Sequence, residues 1–462
     1  MGISSLNAKI SQLVSRKKAH HEAYHKTLGV IDLSVETRSD FTYNNDATRP
    51  RLFCLARRAD DECMSSLESI ADSPPLPEVR LKIARRSSHP WIFQKMIEKP
   101  AARIRGGTVV NIVDRDEEWV GRSFYNGHSR IALRVLTTNP SEAIDEGFFQ
   151  TRIDRAVSFR RESLGLDAIT DAYRLIHSEG DGLSGLVADR FNTTIVLEFF
   201  SVGMYRFREE IQAALLAHYP GSQFYWFAEE HVQKQESFDG RSPPPPEPGK
   251  ITEHGLRFRV APGTKHKTGF FLDQRDNRRT LARFCEGQRV LDLCCNTGGF
   301  AVYAKALGGA TEVVGVDLDE EAIARARENA QLNQARIRFV QADLFSWLRD
   351  IASTGQQFDV VVLDPSKQTR DRDSVSFALK RYLDMNRLAL QTTKPGGMFL
   401  TCSCTGLVNE EEFLESLRRA AWQAKRSLQV IQISGAAPDH PFLLHVPEGR
   451  YLKAVLCRVL PS

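Results

Sequence analysis

RVLDLCCNTGGF, Arg289 to Phe300, is the stretch on which the fold turns. A short apolar run ends at Asp292, and small residues at Gly298 and Gly299 open the segment that follows. An apolar strand running through small residues into a helix is the repeating unit of a parallel sheet covered on both faces. Outward from it the unit recurs: a helix from Gly299, EVVGVDL, a helix from Glu320, IRFVQAD, FDVVVLD, a long helix from Val375, and GMFLTCS. The alternation predicts a doubly wound α/β domain over residues 251–462. Its last strand candidates, LQVIQI and YLKAVLCRVL, flank a loop containing DHPF and PEGR and suit a closing antiparallel pair.

Toward the N-terminus the pattern changes. SPPPPEP, Ser242 to Pro248, cannot continue a helix or a central strand, so it predicts a surface loop and a hinge. Residues 149–250 mix a helical stretch (FFQTRIDRAVSFRRESL), two strands (SGLVADRF, TTIVLEFF) and a helix around Phe207 to His218, predicting a central α/β domain. Residues 77–148 hold the short β-type runs LKIA, TVVNIV, WVGRSFY and IALRVL between turn signals, which fit a small β-barrel. Residues 1–76, with FTYNNDATRP and the proline-rich exit SPPLPE, are an unassigned extension.

The 462 residues are 42% hydrophobic and 26% charged, which excludes a wholly disordered or collagen-like chain. A formal charge of +4 permits a polyanionic partner without demanding one. No run of about 18 apolar residues suggests a membrane span, and the first residues lack a signal-peptide core, so the expectation is a cytoplasmic protein with no membrane partner. The eight cysteines are too sparse and irregular for a disulfide framework, and none forms a zinc pattern. Free thiols and no metal are expected. His20, His21 and His25 beside Lys17 and Lys18 read as a solvated helix face.

Ligands of such sheets bind at the carboxyl ends of the strands, near the point where strand order reverses. Gly298 and Gly299 would let a ligand approach the backbone and a helix N-terminus. The segment is not GxGxxG, which speaks against a pyrophosphate-gripping nicotinamide fold and for a cofactor without phosphates. Asp317, 18 residues beyond Gly299, is placed to accept both hydroxyls of a ribose. Asp343 follows a strand and could accept from an adenine amino group flanked by Leu344 or Phe345. Any one of these acids suits a turn or a cap. In order and at strand ends, they resemble the S-adenosyl-L-methionine site of class I methyltransferases.

VVVLDPSK presents Asp364, Pro365, Ser366 and Lys367 at the next strand end. Alternation along GMFLTCSCTG puts Cys402 and Cys404 on one face, with Cys404 nearer the working edge. Cys402 reads as core filling. Cys404 answers a chemical problem: C5 of a pyrimidine is a poor nucleophile until a thiolate adds at C6, after which C5 can attack a methyl group. Asp364 would hold the base through N3 or an exocyclic amino group.

At these residues the chain resembles the bacterial large-subunit ribosomal RNA cytosine-C5 methyltransferases that carry an N-terminal PUA domain. The likeness runs from about Val79 to Leu460 through RRSSHPWIF, HKTGFFLDQRDNR, LDLCCNTGGFAV, VDLDEEAI, LDPSK, SCTGL, DHP and PEGRYLK. It implies a PUA domain, a central α/β domain and a C-terminal Rossmann-like class I methyltransferase domain, with large-subunit ribosomal RNA as partner. A homodimer is compatible with it. By position Cys404 matches the family's nucleophile and Asp364 its base-holding acid, while Asn296, Gly298, Asp317 and Asp343 match cofactor positions beside Gln274 and Arg275. RNA contact would fall on Lys82, Arg85, Arg86, His89, Lys265, Lys267 and Lys367, with Trp91 or Phe93 either stacking a base or filling the barrel core. The family usually has DPPK where this chain has DPSK, so Ser366 could reshape the base pocket. A guanine N-methyltransferase and a non-catalytic RNA-binding assembly factor are the competing readings.

Overall fold

The computed structural model describes residues 75–263 and 268–461. The extension up to residue 74, with its histidine cluster, Cys54 and Cys63, lies outside the described residues, as do Lys265 and Lys267.

The first body is a five-stranded barrel: β1 (Glu78–Arg80), β2 (Trp91–Phe93), β3 (Thr108–Val113), β4 (Trp119–Tyr125) and β5 (Ile131–Thr137), in the order β1-β3-β4-β5-β2. TVVNIV alternates as a half-buried strand should, sending Val110 and Ile112 into a core with Val79, Ile92 and Leu133. Register shifts in three of its strand pairs curl the sheet. LKIA is not a strand. Backbone pairing occurs one step earlier, where β1 runs parallel to β3, and Leu81 makes only an isolated bridge to Ile97.

Helix α1 (Glu146–Ser158) follows, started by Asp145, whose carboxylate accepts from the Phe148 amide at 3.1 Å. It packs on the sheet β6 (Ala172–His177), β7 (Leu186–Phe191), β8 (Thr194–Phe199) and β9 (Gln223–Phe227), joined across its last two strands by α2 (Arg208–His218). The proline run is irregular chain, as expected, and enters a hairpin of β10 (Gly249–Glu253) and β11 (Leu256–Val260). That hairpin shares one core with the central sheet and the domain beyond: Ala172, Phe191 and Val196 pack with Phe258, Val260, Leu272, Val302 and Tyr303. Continuous packing of this kind leaves no free articulation, which corrects the hinge expected at Ser242 to Pro248.

The C-terminal sheet has seven strands: β12 (Arg289–Leu293), β13 (Glu312–Asp317), β14 (Arg338–Gln341), β15 (Phe358–Leu363), β16 (Thr393–Ser403), β17 (Arg426–Ser434) and β18 (Lys453–Pro461). Their order is β14-β13-β12-β15-β16-β18-β17, and β18 alone runs antiparallel to its neighbours. The covering helices are α3 (Arg275–Ala282), α4 (Gly299–Val302), α5 (Glu320–Leu332), α6 (Leu344–Thr354), α7 (Val375–Thr392) and α8 (Glu410–Gln423). Separate apolar clusters on the two faces, one built on Leu291, Val361 and Phe399 and the other on Val290, Val360 and Leu400, explain why these strands read as unbroken apolar runs. Strand order reverses between β12 and β15, so a ligand crevice is expected over their carboxyl ends.

Candidate active site

The turn after β12 is wound tightly. Cys294 and Asn296 adopt left-handed backbone (φ +60° and +49°), and Gly298 (φ +79°) completes it. A Cβ on Gly298 would meet Ala326 Cβ and Phe339 Cζ at 3.1 Å, so the small residue is required by packing as well as open to a ligand. Asp317, at the end of β13, clamps this turn: its carboxylate accepts from the Asn296 amide at 2.8 Å and from the Asp319 amide at 3.0 Å. Asp292 is fully buried, and one of its oxygens accepts from the Ala301 amide at 2.9 Å. The other, Oδ1, is buried without a protein partner. Burial, reinforced by Asp364 and Asp317, pushes the Asp292 carboxyl well above the usual carboxylate range. An acceptor buried without a protein partner near the end of β12 is what a bound donor would satisfy.

Asp343 caps α6, accepting from the Ser346 amide at 3.0 Å and the Ser346 hydroxyl at 3.1 Å. The amide bond leads in holding its carboxyl below the usual range. Gln274, 2% exposed, donates through Nε2 to Asp364 Oδ2 at 3.0 Å, and its own carbonyl accepts from Asn277 at 2.6 Å. The expected cofactor neighbour is thus also the residue that orients Asp364. Arg275 is placed differently from the expectation. Its guanidinium, 1% exposed, grips Asp439 with two bonds of 3.1 and 2.9 Å, so the cation is spent inside the protein. Asp439, from the DHP motif, also accepts from the Arg174 amide at 2.9 Å, and its carbonyl accepts from Arg160 at 2.7 Å. Burial alone would raise this carboxyl, but His440 and Arg275 outweigh it and hold Asp439 well below the usual range.

β15 and β16 pair in parallel with Leu363 beside Thr401, which carries Asp364 and Cys404 to one edge of the sheet. Cys404 lies just past β16, its Sγ 3.9 Å from the Pro365 carbonyl oxygen. Cys402 is fully buried in the apolar cluster, as its core reading expects. The Thr405 hydroxyl ties the two edge loops together, lying 2.8 Å from the Tyr382 hydroxyl and accepting from the Gln368 amide at 3.0 Å. Sequence reasoning also passed over Lys453. It is 3% exposed, and its Nζ donates to the carbonyls of Thr405, Val408 and Tyr451 at 2.8, 2.7 and 3.0 Å. A lysine inside the apolar strand YLKAVLCRVL was the available signal.

Of the RNA-contact candidates, Lys82, Arg86 and Lys367 are exposed. Arg85 turns inward and organises its own loop, donating to the carbonyls of Ser87 and His89 at 2.9 and 2.8 Å. His89 lies 3.1 Å from Glu448, and the Trp91 indole donates to Glu179 of the central domain at 2.7 Å. Trp91 therefore neither fills the barrel core nor stands free for a base; it fastens the barrel to its neighbour. A cleft of about 780 Å³ opens beside this junction, away from the strand ends, with Arg85, Arg86, Arg152 and His445 among its walls. The six described cysteines are free thiols.

A family model described as S-adenosylmethionine-dependent methyltransferase matches residues 208–458, more than half of the chain. The chain belongs to that methyltransferase family. A PUA-like domain model matches residues 83–138 of the methyltransferase, the barrel described above. Ribosomal RNA large subunit methyltransferase I of Escherichia coli K12 is 38% identical over 380 residues, 80% of this chain and 96% of that one. The protein of the same name from Pseudoalteromonas atlantica is 38% identical over 379 residues, 80% and 95% of the two chains. The methyltransferase fold is shared with SMU.776, a methyltransferase solved with S-adenosylhomocysteine (TM-score 0.70, 20% identity, 83% of this chain and 100% of that one). It is also shared with a Streptococcus mutans methyltransferase (TM-score 0.68, 19% identity, 83% and 100%). The donor set fits the family's cofactor: a buried orphan acceptor on Asp292, a glycine-lined turn and the Asp317 carboxylate suit an amino acid and ribose better than a pyrophosphate. No helix among the described residues is long and apolar enough to cross a membrane.

Proposed function

We propose that this methyltransferase makes 5-methylcytosine in large-subunit ribosomal RNA, through a covalent adduct between Cys404 and C6 of the target base. The observation that carries the reading is the meeting of Cys404 with the Asp364–Pro365 strand end, the sulfur 3.9 Å from the Pro365 carbonyl, under a sheet edge held by Gln274 and Thr405. The named relatives act on the same class of RNA.

When bound, S-adenosylmethionine supplies an electrophilic methyl group. Asp292, Asn296, Gly298, Gly299 and Asp317 would hold it, with Asp343 contributing the oxygen that its helix cap leaves over. The Cys404 thiolate adds to C6 of the cytosine, and C5 gains the electron pair with which it takes the methyl. Asp364, oriented by Gln274, would accept from the exocyclic amino group of the cytosine and hold the base in place for the addition. Transfer of the C5 proton to solvent then leaves the electron pair that expels the thiolate and restores the aromatic ring. Arg86, on the barrel loop that Arg85 and His89 shape, and Lys367, beyond the end of β15, would neutralise phosphates. On this reading the reaction runs in the cytoplasm, where ribosomal RNA is found, and light scattering of the purified chain tests the homodimer.

The test is incubation of the purified protein with methyl-labelled S-adenosylmethionine and unmodified large-subunit rRNA, followed by nucleoside analysis, in parallel with Cys404→Ala. Label in 5-methylcytidine that vanishes in the variant is expected. Label in a methylated guanosine, or full activity of Cys404→Ala, overturns the thiolate reading; no label on well-folded rRNA points to an assembly factor.

A further inference from the structure

The proposed chemistry needs a sulfur anion, yet the edge that carries Cys404 is a poor place to make one. Asp364 follows the neighbouring strand β15, and a carboxylate near a thiol opposes its ionisation. Cys404 is itself half-buried in an apolar surround, which opposes it again. A cation on another element can offset both effects.

β18 supplies one. It is antiparallel to β16 in a register that sets Lys453 directly opposite Ser403, the residue before Cys404. From there the side chain reaches past the end of β16, and its Nζ sits 2.8 Å from the carbonyl of Thr405, the residue after Cys404. With the Val408 and Tyr451 carbonyls at 2.7 and 3.0 Å, all three donors of the ammonium point at backbone oxygens, and no carboxylate neutralises it directly. A buried ammonium so held is a fixed positive charge clasped around the turn that bears the sulfur.

We infer that Lys453 is a positioning residue for this reaction: its buried ammonium fixes the Thr405–Val408 turn and favours the anionic form of the Cys404 sulfur against the carboxylate of Asp364. The inference rests on the covalent reading above. Among the described residues, the groups around the pair include Asp364 after β15, Tyr382 on α7, Cys402 on β16, Asp273 before α3, Glu410 and Glu412 on α8, and Arg450 before β18. Burial lowers the Lys453 ammonium to about 8, with Cys404 pulling in the opposite direction, so the side chain is still mostly cationic at pH 7.

The test is the rate at which iodoacetamide alkylates Cys404 in the full-length protein between pH 5 and 10, read at that residue by peptide mass, for the wild type, Lys453→Met and Lys453→Arg. An opposite charge held on the same turn moves a titration by about one unit, so Lys453→Met should react roughly tenfold more slowly at pH 7, with its midpoint about one unit higher. Lys453→Arg, which keeps the charge, should recover most of the rate. A merely structural lysine would not move the midpoint. Lys453→Met that still binds S-adenosylhomocysteine and alkylates within about twofold of the wild type overturns the inference. Should that variant not fold, Lys453→Gln, which keeps donors to the carbonyls but not the charge, is read in its place, and a midpoint unchanged from the wild type overturns the inference equally. Because alkylation needs no RNA and no methyl transfer, this result stands apart from the Cys404→Ala outcome: activity in Cys404→Ala sinks the covalent reading, while unchanged alkylation sinks only the role of Lys453.

Discussion

Replacing Arg275 by Met separates two roles that the sequence could not tell apart. The guanidinium makes two bonds to Asp439, of 3.1 and 2.9 Å, with the two side chains 1% and 0% exposed. Removing one partner of such a pair strands the other charge in a dry interior, at a cost of about 3–5 kcal/mol. Asp439 keeps the Arg174 amide and the nearby His440, which places the expectation at the lower end of that range. Urea unfolding followed by tryptophan fluorescence should show this loss, and titration calorimetry under folding conditions should show cofactor affinity within about threefold of the wild type. The double variant with Asp439→Asn should be more stable than the sum of the single losses implies, by about 2 kcal/mol or more, because it removes the stranded charge. The sign with pH follows from the depressed Asp439 carboxyl. Its contribution is fully present above the unfolded-chain value near 4 and is lost as pH falls below it, so the wild-type advantage should stay flat between pH 6 and 8. Unchanged stability with a tenfold or greater loss of cofactor affinity would refute this account and return Arg275 to the cofactor site.

Asp317→Ala removes the clamp on the Asn296 and Asp319 amides, and calorimetric titration should show cofactor binding weakened about tenfold or more, roughly 1.4 kcal/mol. Gly298→Ala puts a Cβ on a residue at φ +79° and 3.1 Å from two neighbours, so thermal unfolding should register a loss of roughly 1–2 kcal/mol. His177 is buried, and burial, followed by Arg174 and His440, pushes its imidazole well below the usual value. The fold favours the neutral ring while the unfolded chain takes up a proton near pH 6.5, so stability should fall as pH drops through that value. Urea midpoints between pH 5 and 8 should show a shallower slope in His177→Asn.

What could be read from the sequence is what short-range pattern encodes. The unbroken apolar strands, the helices from Gly299, Glu320 and Val375 and the antiparallel pair at the end all stand in the structure, because each is dictated by neighbours a few residues away. LKIA failed because its pattern does fit a strand, but the choice of paired residues was made by β3. The other surprises depend on distant partners. Trp91 meets Glu179, and Arg275 meets Asp439, 164 residues on. Cys404 and Asp364 were legible since strand ends collect at one edge of a parallel sheet. The grip of Lys453 was not, because its three acceptors are backbone carbonyls, which every residue carries and no sequence advertises.

The position of β18 between β16 and β17 has a consequence for how the molecule is born. Within this sheet the strand that leaves the ribosome last takes an inner place. β16 is complete at Ser403, but the strand that covers its free edge begins some fifty residues later at Lys453. At typical synthesis speeds of about 5–20 residues per second, that edge waits several seconds with its backbone unpaired. Through the same interval the turn that bears Cys404 lacks the ammonium of Lys453. A nascent chain is thus built with its reactive thiol quiet, and the strand that closes the sheet also arms it.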